Sequence, residues 1–187
     1  MRTDADLFED LVRRCAKRDN AARKQLYDMF SAQMFSICLR YTKNRSQAED
    51  VFQESFLKVY ENIGSIKNVA ALPGWIKMIF VHTSIDFLRM EMKFNLHDVD
   101  VNEQKIYVDQ DIISDMSVSE LSELIKELPV KSRTVFNLYV IEGYNHREIS
   151  EIMGISEGTS KSQLFDAKQK LKKKLNRLNK PLLKIVV

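Results

Sequence analysis

The stretch from Asn145 to Leu178 constrains the fold more than any other part of the chain, because it encodes two short helices joined by a tight turn. Asn145 suits a helix N-cap, and Glu148 three residues later completes the pattern of a capping box. Gly154 can adopt the left-handed backbone that ends a helix sharply, and Ser156 suits the start of the next helix. The pattern predicts a helix-turn-helix, and the alternative is an ordinary helical hairpin with a solvated lysine-rich end.

The second helix of this pair has two faces of different character. Apolar residues at helical spacing predict its inward face: Leu164, Ala167, Leu171, Leu175 and Leu178. Near its N-terminal end the side chains expected to point away from the core are Lys161, Ser162, Gln163, Phe165 and Asp166. In helix-turn-helix proteins this end of the second helix contacts base edges in the major groove. The outward face is therefore a candidate DNA-reading surface.

Charge is distributed unevenly along the chain. Residues 119–187 hold thirteen Lys or Arg against eight Asp or Glu, residues 94–118 hold one against six, and residues 1–93 hold fifteen against twelve. The net charge of +3 therefore hides a basic C-terminal module behind an acidic middle segment. The basic module favours a nucleic-acid partner.

Composition favours an all-α fold. The 187 residues include only five glycines and three prolines, and apolar residues recur at intervals of three and four with no sustained alternation. No segment approaches the roughly 18 consecutive apolar residues that span a bilayer, and the N-terminus lacks the order of a signal peptide. We therefore expect a soluble, cytoplasmic chain with no membrane insertion.

The cysteines and histidines do not indicate a cofactor or metal site. Cys15 and Cys38 lie among apolar helical neighbours, which predicts buried thiols. The spacing of His82, His97 and His146 matches no metal-ligand pattern.

Four amphipathic segments predict a helix bundle in residues 1–93. The first stops near Asp19, the second ends near residue 42, the third covers 46–63, and the fourth resumes at Leu72 after a loop at 64–71. The third segment is expected to face inward with Ala48, Val51, Phe52, Ser55, Phe56, Val59 and Ile63, and outward with Glu49, Asp50, Gln53, Glu54 and Lys58. The predicted inner side of the fourth is Trp75, Ile76, Ile79, Phe80, Ile85 and Leu88.

Residues 94–118 have no helical periodicity and predict an acidic linker between two helical domains. The linker is either simply solvated, or its negative charge occupies a cationic nucleic-acid channel or repels DNA until a partner is bound. After it, one helix is expected to end at Pro129 and the next at Gly143. The helix-turn-helix completes this second domain, residues 119–187.

The order of these motifs resembles bacterial sigma factors of the extracytoplasmic-function (ECF) group over nearly the whole chain. The matching segments are AEDVFQESFLKVY, GWIKMIF, SIDFLR, the acidic spacer, LPVKSRTVFNLYVIEGYNHREISEIMGISEGTSKSQL and the basic tail. The resemblance implies that residues 1–93 form region 2, which holds core RNA polymerase and opens the −10 promoter element. Residues 119–187 would form region 4, which reads the −35 element. Such a protein is a transcription initiation factor rather than an enzyme, with core RNA polymerase, promoter DNA and an anti-sigma factor as partners.

The resemblance also implies roles for individual residues. The polymerase contact would be Asp50, Gln53 and Glu54. The −10 contacts would be Ser65, Ile66, Lys67, Asn68, Lys77, His82, Asp86 and Arg89. The −35 contacts would be His146, Arg147, Thr159, Lys161, Ser162, Phe165 and Asp166, with the lysines of 168–174 near phosphate.

Some positions depart from the family pattern. The family commonly has a β-branched apolar residue where Ser160 stands, and arginines where Gln163 and Asp166 stand. Asp166 could accept a hydrogen bond from cytosine N4 or hold Lys170 by an i,i+4 ion pair. The sequence His82-Thr83-Ser84 replaces a stretch in which the family usually shows an asparagine. The departures at Ser160, Gln163 and Asp166 predict an unusual −35 preference.

Other functional classes fit less well. A free-standing helix-turn-helix regulator is the main alternative, and it would bind a defined duplex tightly without polymerase. An enzyme has little support, because the sequence contains no Cys/His cluster, glycine-rich phosphate loop or nucleophile elbow.

Overall fold

The computed structural model describes residues 4–94 and 118–178, and in these ranges every regular element is helical. The chain separates into two units, residues 1–106 and 107–187. The all-α, two-domain prediction is confirmed. The division between the units falls inside the predicted linker 94–118, of which residues 95–117 lie outside the described residues. None of the described helices is long and apolar enough to cross a membrane.

Four α-helices make up the described part of the first unit, residues 4–94, as the periodicity predicted. They are α1 (Asp4–Ala16), α2 (Asn20–Tyr41), α3 (Arg45–Asn62) and α4 (Leu72–Phe94). Between α3 and α4, the predicted loop forms two short 3-10 turns, Ile63–Ser65 and Val69–Ala71, and both turns pack against α1. Helix α1 therefore supports the loop that precedes α4.

Side-chain caps fix where two of these helices begin. The Asp19 carboxylate accepts hydrogen bonds from the backbone N–H groups of Ala21 and Ala22 at 2.8 and 3.1 Å. The Asn44 side chain accepts from the backbone N–H of Gln47 at 2.9 Å. Because these bonds satisfy N–H groups that have no partner within the helix, the short connections can turn sharply.

An aromatic cluster forms the centre of the first unit. The rings of Phe52 and Phe56 lie 4.9 Å apart between centroids, and the Phe80 ring of α4 lies 5.7 and 5.1 Å from them. Tyr27 and Phe35 of α2 add edge-on or tilted contacts to this pair. All seven residues predicted to face inward from α3 are buried. The helical period alone was sufficient for this helix.

The prediction for α4 was wrong at two positions. Trp75 and Ile79 are half-buried, whereas Leu72 and Val81, which the prediction omitted, are completely buried. At about 100° per residue, Trp75 and Ile79 lie on the same side of the helix as the exposed His82. The apolar character of α4 extends beyond the part that its neighbours cover, so composition overestimated the width of its buried face.

Cys15 and Cys38 are free thiols, and both are fully buried in the first unit. Burial raises the pKa of each thiol, that of Cys38 to about 12. The prediction of buried core thiols is confirmed, and neither sulfur is exposed or activated for redox chemistry.

The described part of the second unit contains three short helices and one long helix. They are α5 (Val118–Lys126), α6 (Val130–Phe136), α7 (His146–Met153) and α8 (Glu157–Arg177), and α6 continues as a π-helical turn, Asn137–Ile141. Pro129 stands at the predicted break and precedes α6, and Gly143 after the π-helical turn has a φ of 85°. The predicted inward face of α8 is buried except at its last residue, Leu178, which is 53% exposed.

The helix-turn-helix is formed by α7 and α8, as predicted. Asn145 and Glu148 make the reciprocal bonds of a capping box, at 3.0 and 2.8 Å. Gly154 ends α7 with a φ of 66°, in the left-handed region that glycine adopts without strain. Ser156 caps α8 by accepting from the backbone N–H of Thr159 at 3.0 Å. These caps place the N-terminal end of α8 in an exposed position.

Candidate functional site

The outward side of α3 carries the predicted polymerase contact, which consists of Asp50, Gln53 and Glu54. We call these three residues together with the neighbouring Leu57 the α3 face. All four side chains are exposed. Within the described residues, Asp50 and Gln53 have no hydrogen bond or ion pair. Their oxygen atoms are therefore available to donors from another molecule.

Glu54 differs from Asp50 because it already has a cationic neighbour. The Lys58 ammonium lies 2.7 Å from the Glu54 carboxylate and also donates to the Thr83 hydroxyl of α4 at 3.3 Å. This contact holds the Glu54 carboxylate and partly neutralises it. Asp50 is consequently the more available acceptor of the two.

Leu57 is the residue of this face that the sequence prediction missed. Its side chain is 61% exposed, although leucine is usually buried. At about 100° per residue, Leu57 points almost along the same direction as Asp50, between Gln53 and Glu54. The helical period could have predicted this exposure, because Leu57 lies on the side of α3 opposite the buried Ala48 and Val59.

The predicted −10 residues of the loop lie on the turns between α3 and α4. Ser65 and Asn68 make local hydrogen bonds that shape the loop: the Ser65 hydroxyl donates to the carbonyl of Asn62 at 2.7 Å, and Asn68 accepts from the N–H of Ala70 at 3.2 Å. Ile66 is half-buried, and Lys67 is exposed. The loop thus presents one cation and one partly covered apolar side chain.

Three of the predicted −10 residues on α4 form an exposed row, which we call the α4 stripe: His82, Asp86 and Arg89. Arg89 lies 3.7 Å from Asp86. Lys77 is half-buried and lies on another side of the helix, about 140° from His82. The structure therefore groups His82, Asp86 and Arg89 and separates Lys77 from them.

The N-terminal part of α8 carries the predicted reading residues, which we call the α8 face: Lys161, Ser162, Phe165 and Asp166. All four are exposed, and at 62% Phe165 is the most exposed large apolar side chain among the described residues. Lys161 lies 4.0 Å from Glu157, and the Ser162 hydroxyl donates to the carbonyl of Thr159 at 3.0 Å. No ion pair joins Asp166 to Lys170 within the described residues, so this explanation of Asp166 is not supported.

Gln163 does not belong to that surface, although its position predicted an outward side chain. It is half-buried, and the Ser132 hydroxyl of α6 donates to its side-chain oxygen at 2.6 Å. Gln163 therefore fastens α8 to α6. Sequence could not reveal this contact, because the two residues are 31 positions apart.

Three more of the predicted −35 residues surround the turn between α7 and α8. Arg147 is exposed and lies 3.4 Å from Glu151. The hydroxyls of Thr159 and the capping Ser156 are 2.8 Å apart. His146 is half-buried, stacks on Tyr139 and makes a hydrogen bond with Ser160.

The lysines along the rest of α8 do not form one uniform group. Lys170, Lys172 and Lys173 are exposed and have no ion pair within the described residues. Lys174, in contrast, pairs with the carboxylate of Glu127 just beyond α5. Lys174 therefore links α8 to the residue that follows α5, and the placement of the lysines of 168–174 near phosphate stays a prediction.

No metal site is evident in residues 4–94 and 118–178, because no three His, Cys, Asp or Glu side chains there lie close enough to hold an ion. The described helices instead present two exposed surfaces of different character. One is an acidic helix face with an apolar residue at its centre, and the other is a helix-turn-helix with an exposed polar reading end.

Comparison with known proteins agrees with this geometry. Residues 26–94 match the family model of Sigma-70 region 2, and residues 119–171 match that of Sigma-70, region 4. The ECF RNA polymerase sigma factor SigM of Bacillus subtilis (strain 168) is 31% identical over 82% of this chain and 94% of its own length. The chain belongs to the ECF sigma factor family.

Two further proteins resemble this sigma factor. The RNA polymerase sigma factor SigV of the same organism is 31% identical over 71% of the chain and 78% of its own length. The fold is similar to that of the sigma factor RpoE, in a co-crystal structure with the anti-sigma factor NepR from Bartonella quintana. This similarity has a TM-score of 0.59 at 17% identity and covers 82% of this chain and 96% of that one. Sigma factors are transcription initiation factors and not enzymes, as the motif order implied.

Proposed function

We propose that this sigma factor docks on core RNA polymerase through the α3 face and recognises promoters through two further surfaces. The 63–71 loop and the α4 stripe contact the −10 element, and the α8 face reads the −35 element. Family membership carries the general function, which is to bind core polymerase and direct it to promoters. The observation that carries the docking proposal is the exposure of Asp50 and Gln53 without partners in the described part of the chain.

The α3 face suits a basic partner helix. Asp50, Gln53 and Glu54 offer acceptors at i, i+3 and i+4, and charge-assisted hydrogen bonds from arginine side chains would fix the orientation of the two surfaces. Leu57 adds an apolar contact that excludes water beside these bonds. A central apolar residue with polar groups around it is the usual arrangement at protein interfaces.

The −10 surface combines shape with modest charge. Lys67 and Arg89 can contact phosphate, and the half-buried Ile66 and Trp75 offer apolar walls against which an unstacked base could pack. Lys77 is a supporting residue in this arrangement, because it does not share the exposed side of α4.

The −35 surface depends on the α8 face. Lys161 can donate to guanine, Asp166 can accept from cytosine N4, and Phe165 offers an apolar contact. Because no ion pair within the described residues neutralises Asp166, its carboxylate repels phosphate and favours bases that offer a donor. This is the physical basis of the unusual −35 preference that the sequence predicted.

Location and regulation complete the proposal. The protein acts in the cytoplasm, where its polymerase is found. The similarity to a sigma factor that was crystallised with an anti-sigma factor supports an anti-sigma partner for this chain as well.

Docking is tested by measuring the affinity of full-length protein for core RNA polymerase. Asp50→Ala with Glu54→Ala should weaken binding by about 2 kcal/mol or more, as for hot-spot clusters, and Asp50→Ala alone should account for most of the loss. Leu57→Ala should weaken binding by a smaller amount.

Asp28→Ala is the matched control, because it removes an exposed carboxylate from α2 that is paired with Lys24 and lies outside the α3 face. Circular dichroism should show unchanged helicity for all variants. Wild-type affinity in the Asp50 and Glu54 double variant would contradict the docking proposal.

A further inference from the structure

Ser160 is a buried polar residue in a position that the family usually fills with an apolar one. Its side chain is completely buried, and its hydroxyl oxygen lies 2.9 Å from Nδ1 of His146. Burying a hydroxyl is unfavourable unless it is hydrogen-bonded, and His146 supplies the bond. The pair joins the first residue of α7 to the first turn of α8.

The His146 ring is held on two sides. Its plane stacks on the ring of Tyr139 at 4.6 Å between centroids and an angle of 24°, and Nδ1 is occupied by Ser160. The other ring nitrogen, Nε2, is neither buried nor hydrogen-bonded within the described residues. One hydrogen-bonding edge of the ring is therefore fixed and the other is open.

We propose that Ser160 is a positioning residue for DNA binding: its hydroxyl donates to Nδ1 of His146, places the ring proton on Nε2, and so presents an N–H to a backbone phosphate of the promoter. A ring nitrogen that accepts a hydrogen bond cannot carry the proton, so a hydroxyl that donates to Nδ1 leaves the ring proton on Nε2. Tyr139 prevents the ring from turning away. The inference rests on the proposed −35 role of this unit and adds a residue that itself touches no DNA.

The arrangement also makes DNA binding sensitive to pH. Burial, and then the positive charge of Lys161, lower the pKa of His146 below its ordinary value, while Glu157 opposes them. Tyr139 packs on the ring, and Arg147 and Glu148 are the charged neighbours on α7. The free protein therefore holds the ring neutral near pH 7. A nearby phosphate stabilises the imidazolium, so the His146 ring takes up a proton more readily in the complex with DNA than in the free protein. The affinity for DNA therefore rises as the pH falls through the titration range of this ring.

Two substitutions that are isosteric with each other separate the hydroxyl from the volume of the side chain. Ser160→Thr and Ser160→Val both introduce a β-branched residue, and only Thr keeps the hydroxyl. Affinity is measured for holoenzyme assembled with full-length protein, on cognate and scrambled −35 duplexes between pH 5.5 and pH 8 and over a salt series.

Ser160→Thr should bind as the wild type does, whereas Ser160→Val should lose about 3- to 10-fold on both duplexes, the effect of one lost hydrogen bond. In His146→Gln the rise in affinity towards low pH should disappear. The salt slope of this variant should match that of the wild type at pH 8 and be smaller by about one at pH 5.5, because only the protonated ring neutralises a phosphate.

Equal binding by the Val and Thr variants, or a wild-type pH profile in His146→Gln, would overturn the inference. Lys161→Ala is included to separate this failure from that of the −35 assignment. If Lys161→Ala loses cognate affinity while Ser160→Val does not, only the role of Ser160 is wrong. If neither variant loses affinity, the −35 assignment fails together with it.

Discussion

The two units of this sigma factor are stabilised in different ways. The first has long helices around a cluster of aromatic rings, in which Phe52, Phe56 and Phe80 pack with centroids 4.9–5.7 Å apart. In the second, the short helices α5, α6 and α7 pack on the 21-residue α8, and side-chain hydrogen bonds such as Ser132 to Gln163 fasten them together. Polar contacts therefore help to set how these short helices pack on α8.

The α3 face of the first unit and helix α8 of the second also differ in charge. The α3 face is acidic with an exposed Leu57, which suits a basic protein partner. Helix α8 is basic, and it carries three exposed lysines without ion pairs in the described part of the chain. The α3 face and helix α8 are therefore suited to partners of opposite charge, which the net charge of the whole chain conceals.

The largest expected effect comes from removing one ring of the aromatic cluster in the first unit. Phe80→Ala should reduce the free energy of unfolding of the first unit by about 3–5 kcal/mol, because it removes a fully buried ring and leaves a cavity. The only tryptophan, Trp75, lies in this unit, so fluorescence during urea unfolding of the full-length protein reports on it.

The matched variant Leu171→Ala should destabilise the second unit by about 2–5 kcal/mol, because it removes a fully buried side chain. The urea midpoint of the fluorescence transition should stay unchanged, while part of the ellipticity change moves to lower urea. If both substitutions shift both signals equally, the units unfold together and the comparison fails.

The next effect separates base reading from phosphate contact within α8. Lys161→Ala should cost about 1–3 kcal/mol on cognate −35 DNA and relax discrimination at particular base pairs, because this residue lies at the reading end. Lys173→Gln should weaken cognate and scrambled duplexes equally and lower the salt slope by about one.

Lys24→Gln serves as the control, since it removes a cation from α2 that is already paired with Asp28. Its salt slope should equal that of the wild type. A change of base preference in Lys173→Gln, but not in Lys161→Ala, would show that the reading surface is assigned to the wrong part of α8.

The smallest expected effect tests the dependence of the second unit on caps. Asn145→Ala should lower the free energy of unfolding of this unit by about 1 kcal/mol, because it removes the side-chain oxygen that accepts from the backbone N–H of Glu148, and it should also weaken −35 binding. Asn145→Asp keeps the acceptor and should restore both properties.

Asn44→Ala removes a comparable cap from α3 in the first unit and should cost about 1 kcal/mol of stability there without altering −35 affinity. Equal DNA affinities for Asn145→Ala and Asn44→Ala would indicate that the turn angle does not depend on the cap.

Local sequence determined the helices and their ends. Asn145, Gly154 and Ser156 act within one turn of the positions they cap, and the 3.6-residue period was sufficient to identify the buried residues of α3. The motif order was sufficient to indicate the family. These features depend only on residues that are close in the chain.

Tertiary structure alone decided which side chains remain available to partners. Gln163, Lys174 and Ser160 are joined to Ser132, Glu127 and His146, which lie 31, 47 and 14 positions away. A helical period tells which side of a helix meets a neighbour, but it does not tell which neighbour is there or how far it extends. For the same reason Trp75 was predicted as core and is half-buried, and Asp50 proved to be without a partner in the described residues while Glu54 is held by Lys58.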